Sequence, residues 1–477
     1  MNVSLRSLLK NLSVSVDYHG PDRDICDIEY DSRKIRSGAL FVAIRGAKAD
    51  GHHFMEQAFA QGAAACLAEE SCNCSGLQIR VPDSRKALAE LSWAFYLGDR
   101  RPHPLLGVTG TNGKTTITHL LYQLAETAGI PSALIGTLGV KTPGYQLEGE
   151  RTTPESRDLA AYFRNFLQEG SRAVFMEVSS HAIALKRVHG LTFDAAIFTN
   201  LTRDHLDFHA DMEDYFKTKA SLFDNAHSAL INIDDPYGKR LAEQVSGKKR
   251  TFSLNNAEAD FYYKTLRVSL EGVHGILSSA SGDIAVDAPL LGRFNAENIA
   301  AALSTWTVLY PDTPTHLQHF PFYPVAGRME RIPTRRGTAV IDYAHTPDAM
   351  EKALQAVRDL EGLRRLICVF GCGGDRDHGK RAMMGAVAER YADHILLCND
   401  NPRSEDPEKI IAEIRSGISR DASVDICVDR AEAIRRAYAL SESGDILMIL
   451  GKGAENYMEI KGERIPFQDK KIIVGLE

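Results

Sequence analysis

The sequence predicts an α/β protein of about three domains, built mainly from parallel sheets covered by helices. Three observations carry that expectation. At 477 residues the chain is about three times the ~150 residues of a typical domain. Short apolar, β-branched runs alternate with amphipathic stretches, which is how buried parallel strands between helices look in sequence. One of these runs passes through a glycine-rich turn into a helical stretch, the arrangement that holds phosphate in doubly wound sheets.

In chain order, strands are expected over Ala39–Ile44, Leu105–Thr109, Ala173–Val178, Ala195–Thr199, Ala339–Asp342, Leu366–Phe370, His394–Cys398 and Asp445–Leu450. Most run into Gly, Asn, Asp or Ser, and ligands of open α/β sheets bind beyond these carboxyl ends. A helix is expected from Thr116 to Thr127, after the glycine-rich turn. Two segments read as boundaries. Gly98–Pro104 is polar and contains two prolines, and five of the chain's 18 prolines fall between Pro311 and Pro333, a density that suits a linker. Three domains follow: 1–100, 101–328 and 329–477.

Composition narrows the function. Hydrophobic residues make up 44% and charged residues 25%, an ordinary globular balance. Lys plus Arg number 56 against 63 Asp plus Glu, a formal net charge of -7, which argues against nucleic-acid coating as the source of affinity. No run approaches the ~18 apolar residues of a membrane span. Met1–Gly20 lacks the apolar core and cleavage site of a signal peptide, so a cytoplasmic protein is expected. The eight cysteines are too sparse for a disulfide framework; Cys72 and Cys74 in a lone C-x-C, and Cys372 in a glycine-rich turn, are expected to be buried or incidental thiols.

Gly107-Val-Thr-Gly-Thr-Asn-Gly-Lys-Thr-Thr116 carries the strongest chemical signal. Glycines admit backbone N–H groups to phosphate oxygens, the helix start adds positive potential, Lys114 reaches terminal phosphates, and the Thr115 hydroxyl suits magnesium. The spacing departs from G-x-x-x-x-G-K-[ST] only in having Val108 for the first glycine. No Asn is followed by Lys, so the N-K-x-D of guanine-specific switches is missing. Glu177 ends an apolar strand, where a carboxylate is costly to bury without a cation. His205 and His209 stand at i and i+4, but Leu206 replaces the glutamate of H-E-x-x-H and no third ligand is evident, against a zinc site. Arg364-Arg365 and Lys248-Lys249-Arg250 read as solvated surface.

G-T-N-G-K-T-T at 110–116, E-V-S-S-H at 177–181, N-L-T-R-D-H at 200–205, F-N-A-E-N at 294–298, G-R-M-E at 327–330 and D-Y-A-H-T-P at 342–347, in this order, resemble the Mur ligases, the ATP-dependent amide-forming enzymes of peptidoglycan precursor assembly. The resemblance implies an N-terminal domain for the UDP-sugar substrate, a central P-loop ATPase and a Rossmann-like C-terminal domain that helps bind the incoming amino acid. Within the family, D-S-R at 31–33, G-C-G-G-D-R-D at 371–377 and D-N-P-R at 400–403 resemble members that add meso-2,6-diaminopimelate to UDP-N-acetylmuramoyl-L-alanyl-D-glutamate through an acyl phosphate.

The resemblance also assigns residues. For ATP it implies Gly110, Thr111, Asn112, Gly113, Lys114, Thr115, Thr116, Asn295, Asn298, Arg328, Asp342 and His345. Two magnesium ions would be held by Thr115, Glu177, His205 and Lys219, the last as a carbamate formed with carbon dioxide; Lys217 is the neighbouring alternative. Lys114, Lys219, His205 and Glu177 form the implied catalytic set. Tyr30, Ser32, Thr152, Thr153, Ser179 and Arg187 are implied for the nucleotide sugar. Arg376, Asp400, Asn401, Pro402, Arg403, Gly451 and Glu455 are implied for the amino acid. A guanidinium at Arg403 can grip the second carboxylate of diaminopimelate, which lysine lacks, and Glu455 suits the distal ammonium.

The chain departs from the family pattern at Leu185 (commonly Gln), Ala47-Lys48 (His-Gln) and Ala454 (His). A monomer without nucleic-acid partners is expected. The alternatives are another amide ligase of the superfamily, either a lysine-adding Mur ligase or folylpolyglutamate synthetase, and a nucleotide-controlled binding protein without ligase chemistry. About 100 residues ahead of the phosphate loop speak against folylpolyglutamate synthetase.

Overall fold

Consecutive residues of the central strands enter two different cores. Leu105, Val174, Met176, Ala196, Phe198, Ala229 and Ile231 join one, and Leu106, Val108, Phe175, Ala195, Ile197 and Leu230 join the other. Side chains alternate across a strand, so this split means a sheet covered on both faces, and it explains why the strands read as continuous apolar runs. In the computed structural model, which describes residues 2–477 except 15, 17, 47, 48, 150, 312–321 and 420–422, that sheet has eleven strands. The Ala47-Lys48 departure, Pro314 and Pro321 lie outside the described residues.

The seven strands from Ser132–Gly136 to Phe261–Val268 are parallel, in the order Ser132–Gly136, Ala173–Glu177, Leu105–Thr109, Ala195–Phe198, Ser228–Asn232, Lys248–Ser253, Phe261–Val268. Antiparallel strands finish both edges. The phosphate-loop strand therefore sits well inside the sheet. The helix after the loop, Lys114–Thr127, starts two residues earlier than the pattern predicts.

Four short parallel strands, Ile28–Glu29, Leu40–Val42, Ala65–Ala68 and Gln78–Arg80, form the sheet ahead of the loop. Asp83 caps the following helix, Ser84–Tyr96, accepting from the Lys86 N–H at 2.9 Å. Trp93 of that helix stacks on Phe163 of the helix Ser156–Gln168, with ring centroids 6.0 Å apart. One hydrophobic core thus runs through both sheets.

The third sheet has the order Glu330–Thr334, Gly337–Asp342, Ile446–Leu450, Leu366–Phe370, His394–Leu397, Val424–Ile426, parallel except for its first pair. The carboxyl ends Asp342, Phe370, Leu397 and Leu450 lead into D-Y-A-H-T-P, G-C-G-G-D-R-D, D-N-P-R and G-K-G.

Three sequence expectations are corrected here. Pro333 is not in a linker but in the edge strand Glu330–Thr334, where a missing N–H can face away from the ladder. Cys72 and Cys74 are joined by a disulfide, not free thiols, and the Gln78 amide brackets them by bonding the Cys72 N–H and the Cys72 and Cys74 carbonyls. Arg365 is not simply solvated, because it donates at 2.6 Å to the fully buried carboxylate of Asp445.

A fully buried ion pair closes the third sheet. Arg430 donates to both carboxylate oxygens of Asp469 at 2.8 and 2.7 Å, and also to the Leu450 and Asn399 carbonyls at 2.9 and 3.3 Å. It ties the last helix, Asp469–Val474, to the strand ends that carry D-N-P-R and G-K-G. Removing one partner strands a buried charge, so Asp469→Ala should lower unfolding free energy by about 3–5 kcal/mol in denaturant titration. A loss under about 1 kcal/mol would contradict this role.

Candidate active site

Burial dictates how the phosphate loop is held, because its polar backbone must find partners. The segment Thr199–Thr202 provides them. Thr111 N donates to the Asn200 carbonyl at 2.9 Å, Asn112 N to Asn200 Oδ1 at 2.9 Å, and Thr199 Oγ1 to the Asn112 carbonyl at 2.6 Å. Gly113 caps the helix at φ +90°, and a Cβ there would lie 2.5 Å from Asn298 Oδ1. Asn298 in turn donates to Asn295 Oδ1 at 2.9 Å, and Asn295 to the Leu291 carbonyl at 2.7 Å. The two asparagines of F-N-A-E-N are therefore brought to the loop.

Two lysines converge on one carbonyl. Lys114 Nζ donates to the carbonyls of Gly110 and Thr111 at 2.9 and 2.8 Å, and Lys219 Nζ donates to the same Gly110 oxygen at 2.9 Å. Burial, then the Lys114 charge, pushes the Lys219 amine well below the ordinary lysine range. Burial also lowers Lys114, opposed by Glu177 and Asp204. Lys219 is 1% exposed and lies 4.7 Å over the Tyr215 ring, whereas the Lys217 side chain is 71% exposed and pairs with Glu213. The geometry thus separates the two candidate lysines that the sequence leaves adjacent.

Glu177 is buried at its strand end and accepts from Thr137 N at 2.7 Å and Thr137 Oγ1 at 3.2 Å. Thr137 Oγ1 lies 3.0 Å from Thr152 Oγ1, and Thr153 Oγ1 donates to the Glu177 carbonyl at 2.9 Å. Ser179 N donates to Thr153 Oγ1 at 3.1 Å, and Arg187 Nη1 to the Thr153 carbonyl at 3.0 Å. Thr152, Thr153, Ser179 and Arg187 therefore form one cluster with Glu177. Tyr30 and Ser32 bond elsewhere, to Asp158 at 2.6 Å and Gln57 at 3.0 Å. Leu185, at the end of the short helix Ser180–Ala184, is half-buried two residues before Arg187.

His205 has a positive φ of 53° and lies edge-on to His181, with ring centroids 4.9 Å apart. Burial lowers its pKa, and burial with the neighbouring His205 brings His181 down to about 4. Both rings are thus favoured neutral, with nitrogen lone pairs available to a ligand.

The third sheet reaches the phosphate loop through two contacts. Arg328 Nη2 donates to Thr115 Oγ1 at 3.2 Å while its guanidinium lies over Tyr343. Asp348 Oδ2 accepts from Asn112 Nδ2 at 3.1 Å and Thr202 Oγ1 at 3.0 Å. Asp342 accepts from the Met329 and Ala344 N–H groups at 2.7 and 2.8 Å, fixing the hinge. His345 accepts Lys380 through its carbonyl at 2.9 Å. Gly327, at φ +64°, lies so close to Gly453 and Ala454 that a Cβ would fall 2.1 Å from Ala454 N. The small Ala454 thus sits in the contact between G-R-M-E and G-K-G.

Around D-N-P-R, Asn401 Nδ2 and the buried Lys452 Nζ both donate to Glu455 Oε2 at 2.9 Å, and Lys452 also donates to Asn401 Oδ1 at 3.0 Å. Arg403 donates through Nη1 to the Gly374 carbonyl at 2.6 Å and through Nε to Glu459 at 3.1 Å. Asp400 and Pro402 are buried, a Cβ on Gly451 would lie 2.5 Å from Asp400 Oδ2, and Arg376 is exposed.

Sequence reasoning missed Thr137, Asp348, Lys452 and Glu459. Asp348 directly follows D-Y-A-H-T-P and Lys452 lies inside G-K-G, so both could be flagged by motif position. Glu297, in F-N-A-E-N, was missed as well; burial and then Asp234 raise it to about 7.

Comparison with known proteins adds the decisive observation. Family models for the Mur ligase family, catalytic domain, the Mur ligase middle domain and the Mur ligase, glutamate ligase domain match residues 24–96, 108–306 and 327–453. The chain belongs to the Mur ligase family. A relative from Syntrophomonas wolfei named UDP-N-acetylmuramoyl-L-alanyl-D-glutamate--2,6-diaminopimelate ligase is 40% identical over 486 residues, covering 99% of both chains. A solved structure bearing that name superposes with a TM-score of 0.71 at 33% identity, covering 100% of this chain and 98% of that one. The Mur ligase fold is also shared with MurF ligase from Thermotoga maritima in complex with ADP, at a TM-score of 0.65 and 20% identity, covering 89% of this chain and 93% of that one.

In this Mur ligase, Gly113→Ala should force a left-handed backbone on a side chain that collides with Asn298. Nucleotide affinity measured by calorimetry should fall by at least about tenfold, ~1.4 kcal/mol. Unchanged affinity would show that the loop does not depend on this close approach.

Proposed function

We propose that this Mur ligase is an ATP-dependent ligase of peptidoglycan precursor synthesis that joins meso-2,6-diaminopimelate to UDP-N-acetylmuramoyl-L-alanyl-D-glutamate, acting in the cytoplasm as a monomer. Arg403 carries the reading. Its guanidinium is anchored at one end by Gly374 and Glu459 and leaves Nη2 for a carboxylate. The near full-length likeness to ligases named for these substrates supports it. Among the described residues no helix is long and apolar enough to cross a membrane.

In this reading residues 1–100 receive the nucleotide sugar, 101–328 the ATP and magnesium, and 329–477 the amino acid. The donors fit magnesium, a hard cation that takes one or two carboxylates and completes its shell with phosphate oxygens and water. Glu177 is a buried carboxylate whose charge acts on Lys114 of the phosphate loop, and among the described residues no three His, Cys, Asp or Glu side chains form a cage by themselves. When bound, ATP supplies the phosphoryl group that activates the D-glutamate carboxylate as an acyl phosphate, with magnesium neutralising phosphate charge.

The chain's own residues do the rest. Gly110, Thr111, Asn112, Gly113, Lys114, Thr115 and Thr116 cradle phosphate. Asn295 and Asn298 face the adenine side, and Arg328, Asp342 and His345 contact the nucleotide from the hinge. Thr115 and Glu177 would hold one ion. His205 would hold the second with Lys219, whose neutral amine could add to carbon dioxide, releasing a proton, to give an anionic carbamate ligand. Tyr30, Ser32, Thr152, Thr153, Ser179 and Arg187 orient the nucleotide sugar. Arg376, Asp400, Asn401, Pro402, Arg403, Gly451 and Glu455 place the amino acid so that its amine meets the activated carbonyl, and phosphate leaves from the tetrahedral adduct. Positioning and charge neutralisation supply the rate.

Amide formation with meso-diaminopimelate and with lysine, measured side by side, tests the proposal. The diaminopimelate reaction should be favoured by at least about tenfold in kcat/KM. Arg403→Ala should lower diaminopimelate use roughly a hundredfold, ~3 kcal/mol, with KM for ATP unchanged. Equal use of lysine by the unaltered enzyme would instead mark a lysine-adding relative.

A further inference from the structure

The residues proposed for the nucleotide sugar stand on two different sheets. Tyr30 and Ser32 follow the strand Ile28–Glu29 of the four-stranded sheet, whereas Thr152, Thr153, Ser179 and Arg187 cluster with Glu177 at a strand end of the eleven-stranded one. The start of the helix Ser156–Gln168 joins them. Its N-cap, Glu155, is buried and accepts from Arg187 Nε at 3.0 Å. Two residues on, Arg157 donates through Nε to the Ile28 carbonyl at 2.9 Å, and its Nη2 lies 2.6 Å from Glu29 Oε1 and 3.3 Å from both carboxylate oxygens of Asp27. Asp158 accepts from the Tyr30 hydroxyl at 2.6 Å and from Arg157 Nη1 at 3.4 Å.

Arg157 is thus a single cation in contact with three carboxylates, those of Asp27, Glu29 and Asp158. Asp27 and Glu29 are only 9% and 5% exposed, and Asp27 also accepts from the Tyr96 hydroxyl and from Ile28 N. Burial raises the Glu29 carboxyl to about 7, and the Arg157 charge is the largest influence opposing that rise. A planar guanidinium can bond a backbone carbonyl and two carboxylates at once, which the compact ammonium of lysine cannot do in the same geometry. Without it, buried carboxylates would repel one another across the joint between the two sheets.

The strand so held runs directly into Tyr30-Asp31-Ser32-Arg33. Asp31 Oδ1 caps the turn Ser32–Lys34 by accepting from Arg33 N at 3.1 Å, and Lys34 N closes it on the Asp31 carbonyl at 2.9 Å. D-S-R is therefore a local unit, and its place relative to the Thr153–Arg187 cluster depends on how Ile28–Glu29 is docked. Resting on the nucleotide-sugar reading above, we propose that Arg157 is a positioning residue for the UDP-sugar acceptor. It acts through the strand Ile28–Glu29, setting Tyr30 and Ser32 at the distance from Thr152, Thr153, Ser179 and Arg187 that lets one extended ligand meet both groups. The residues proposed for ATP and for the amino acid do not take part in this joint.

Steady-state kinetics of the full-length enzyme, with each substrate varied in turn, test this. Arg157→Gln should raise KM for UDP-N-acetylmuramoyl-L-alanyl-D-glutamate about tenfold while kcat and the KM values for ATP and meso-diaminopimelate stay unchanged. General loss of stability lowers the folded fraction and would not produce that split. Arg157→Lys, which keeps the charge, should recover part of the affinity. Glu29→Gln keeps the Ile28 bond and should raise the same KM about threefold, and the double variant should be no worse than Arg157→Gln alone, because both act through one contact. An unchanged nucleotide-sugar KM in Arg157→Gln, equal rises for all three substrates, or fully additive effects of the two substitutions would overturn the proposal. If Arg157→Gln does not fold, Glu29→Gln carries the test by the same split in KM. Failure of the unaltered enzyme to form amide from this acceptor would instead overturn the functional reading itself.

Discussion

Two lysine side chains share the carbonyl oxygen of Gly110, Lys219 buried and Lys114 half-buried. Two ammonium ions cannot comfortably occupy that place: each loses its hydration and each repels the other. The surroundings divide the charge unequally. Lys114 has Glu177 and Asp204 to offset its burial, while the largest influences on Lys219 are burial and the Lys114 charge, both unfavourable to protonation. The charge is therefore disfavoured more strongly at Lys219 than at Lys114. That division requires the strand Leu105–Thr109 and the last turn of the helix Met212–Ala220 to meet at Gly110.

The same loop also anchors the third sheet. Asp348 accepts from Asn112 and Thr202, and Arg328 donates to Thr115, so the amide and hydroxyl side chains of the loop also register the position of the C-terminal sheet. Gly327 against Gly453 extends the chain of contacts to G-K-G, and Lys452 with Asn401 extends it to D-N-P-R. A route of direct packing and hydrogen bonds therefore connects the phosphate loop and D-N-P-R, which suits chemistry that needs an activated carbonyl and an amine in register.

Much of this was legible in the sequence where the signal is local. The strand runs, the phosphate loop and D-N-P-R are contiguous, and each fell near the end of a strand or the start of a helix. Pro333 was misleading because an edge strand tolerates a missing donor as readily as a linker does. Lys217 and Lys219 could not be separated by pattern, since both lie in one short helix; only its packing against Gly110 buries Lys219. Glu459 is invisible for a different reason: its partner, Arg403, is distant in sequence, and a single acidic residue on a strand carries no periodic signal. Tyr30 and Ser32 make their hydrogen bonds apart from the Thr153–Arg187 cluster, which no spacing rule anticipates.

The division of charge at Gly110 is tested most directly by carbon-13 NMR of the enzyme equilibrated with labelled bicarbonate near neutral pH. The account predicts a carbamate resonance that is lost in Lys219→Ala, is retained in Lys217→Ala and disappears on acidification, as an adduct of a neutral amine requires. A spectrum without that resonance, or one in which Lys219→Ala leaves it intact, would contradict it.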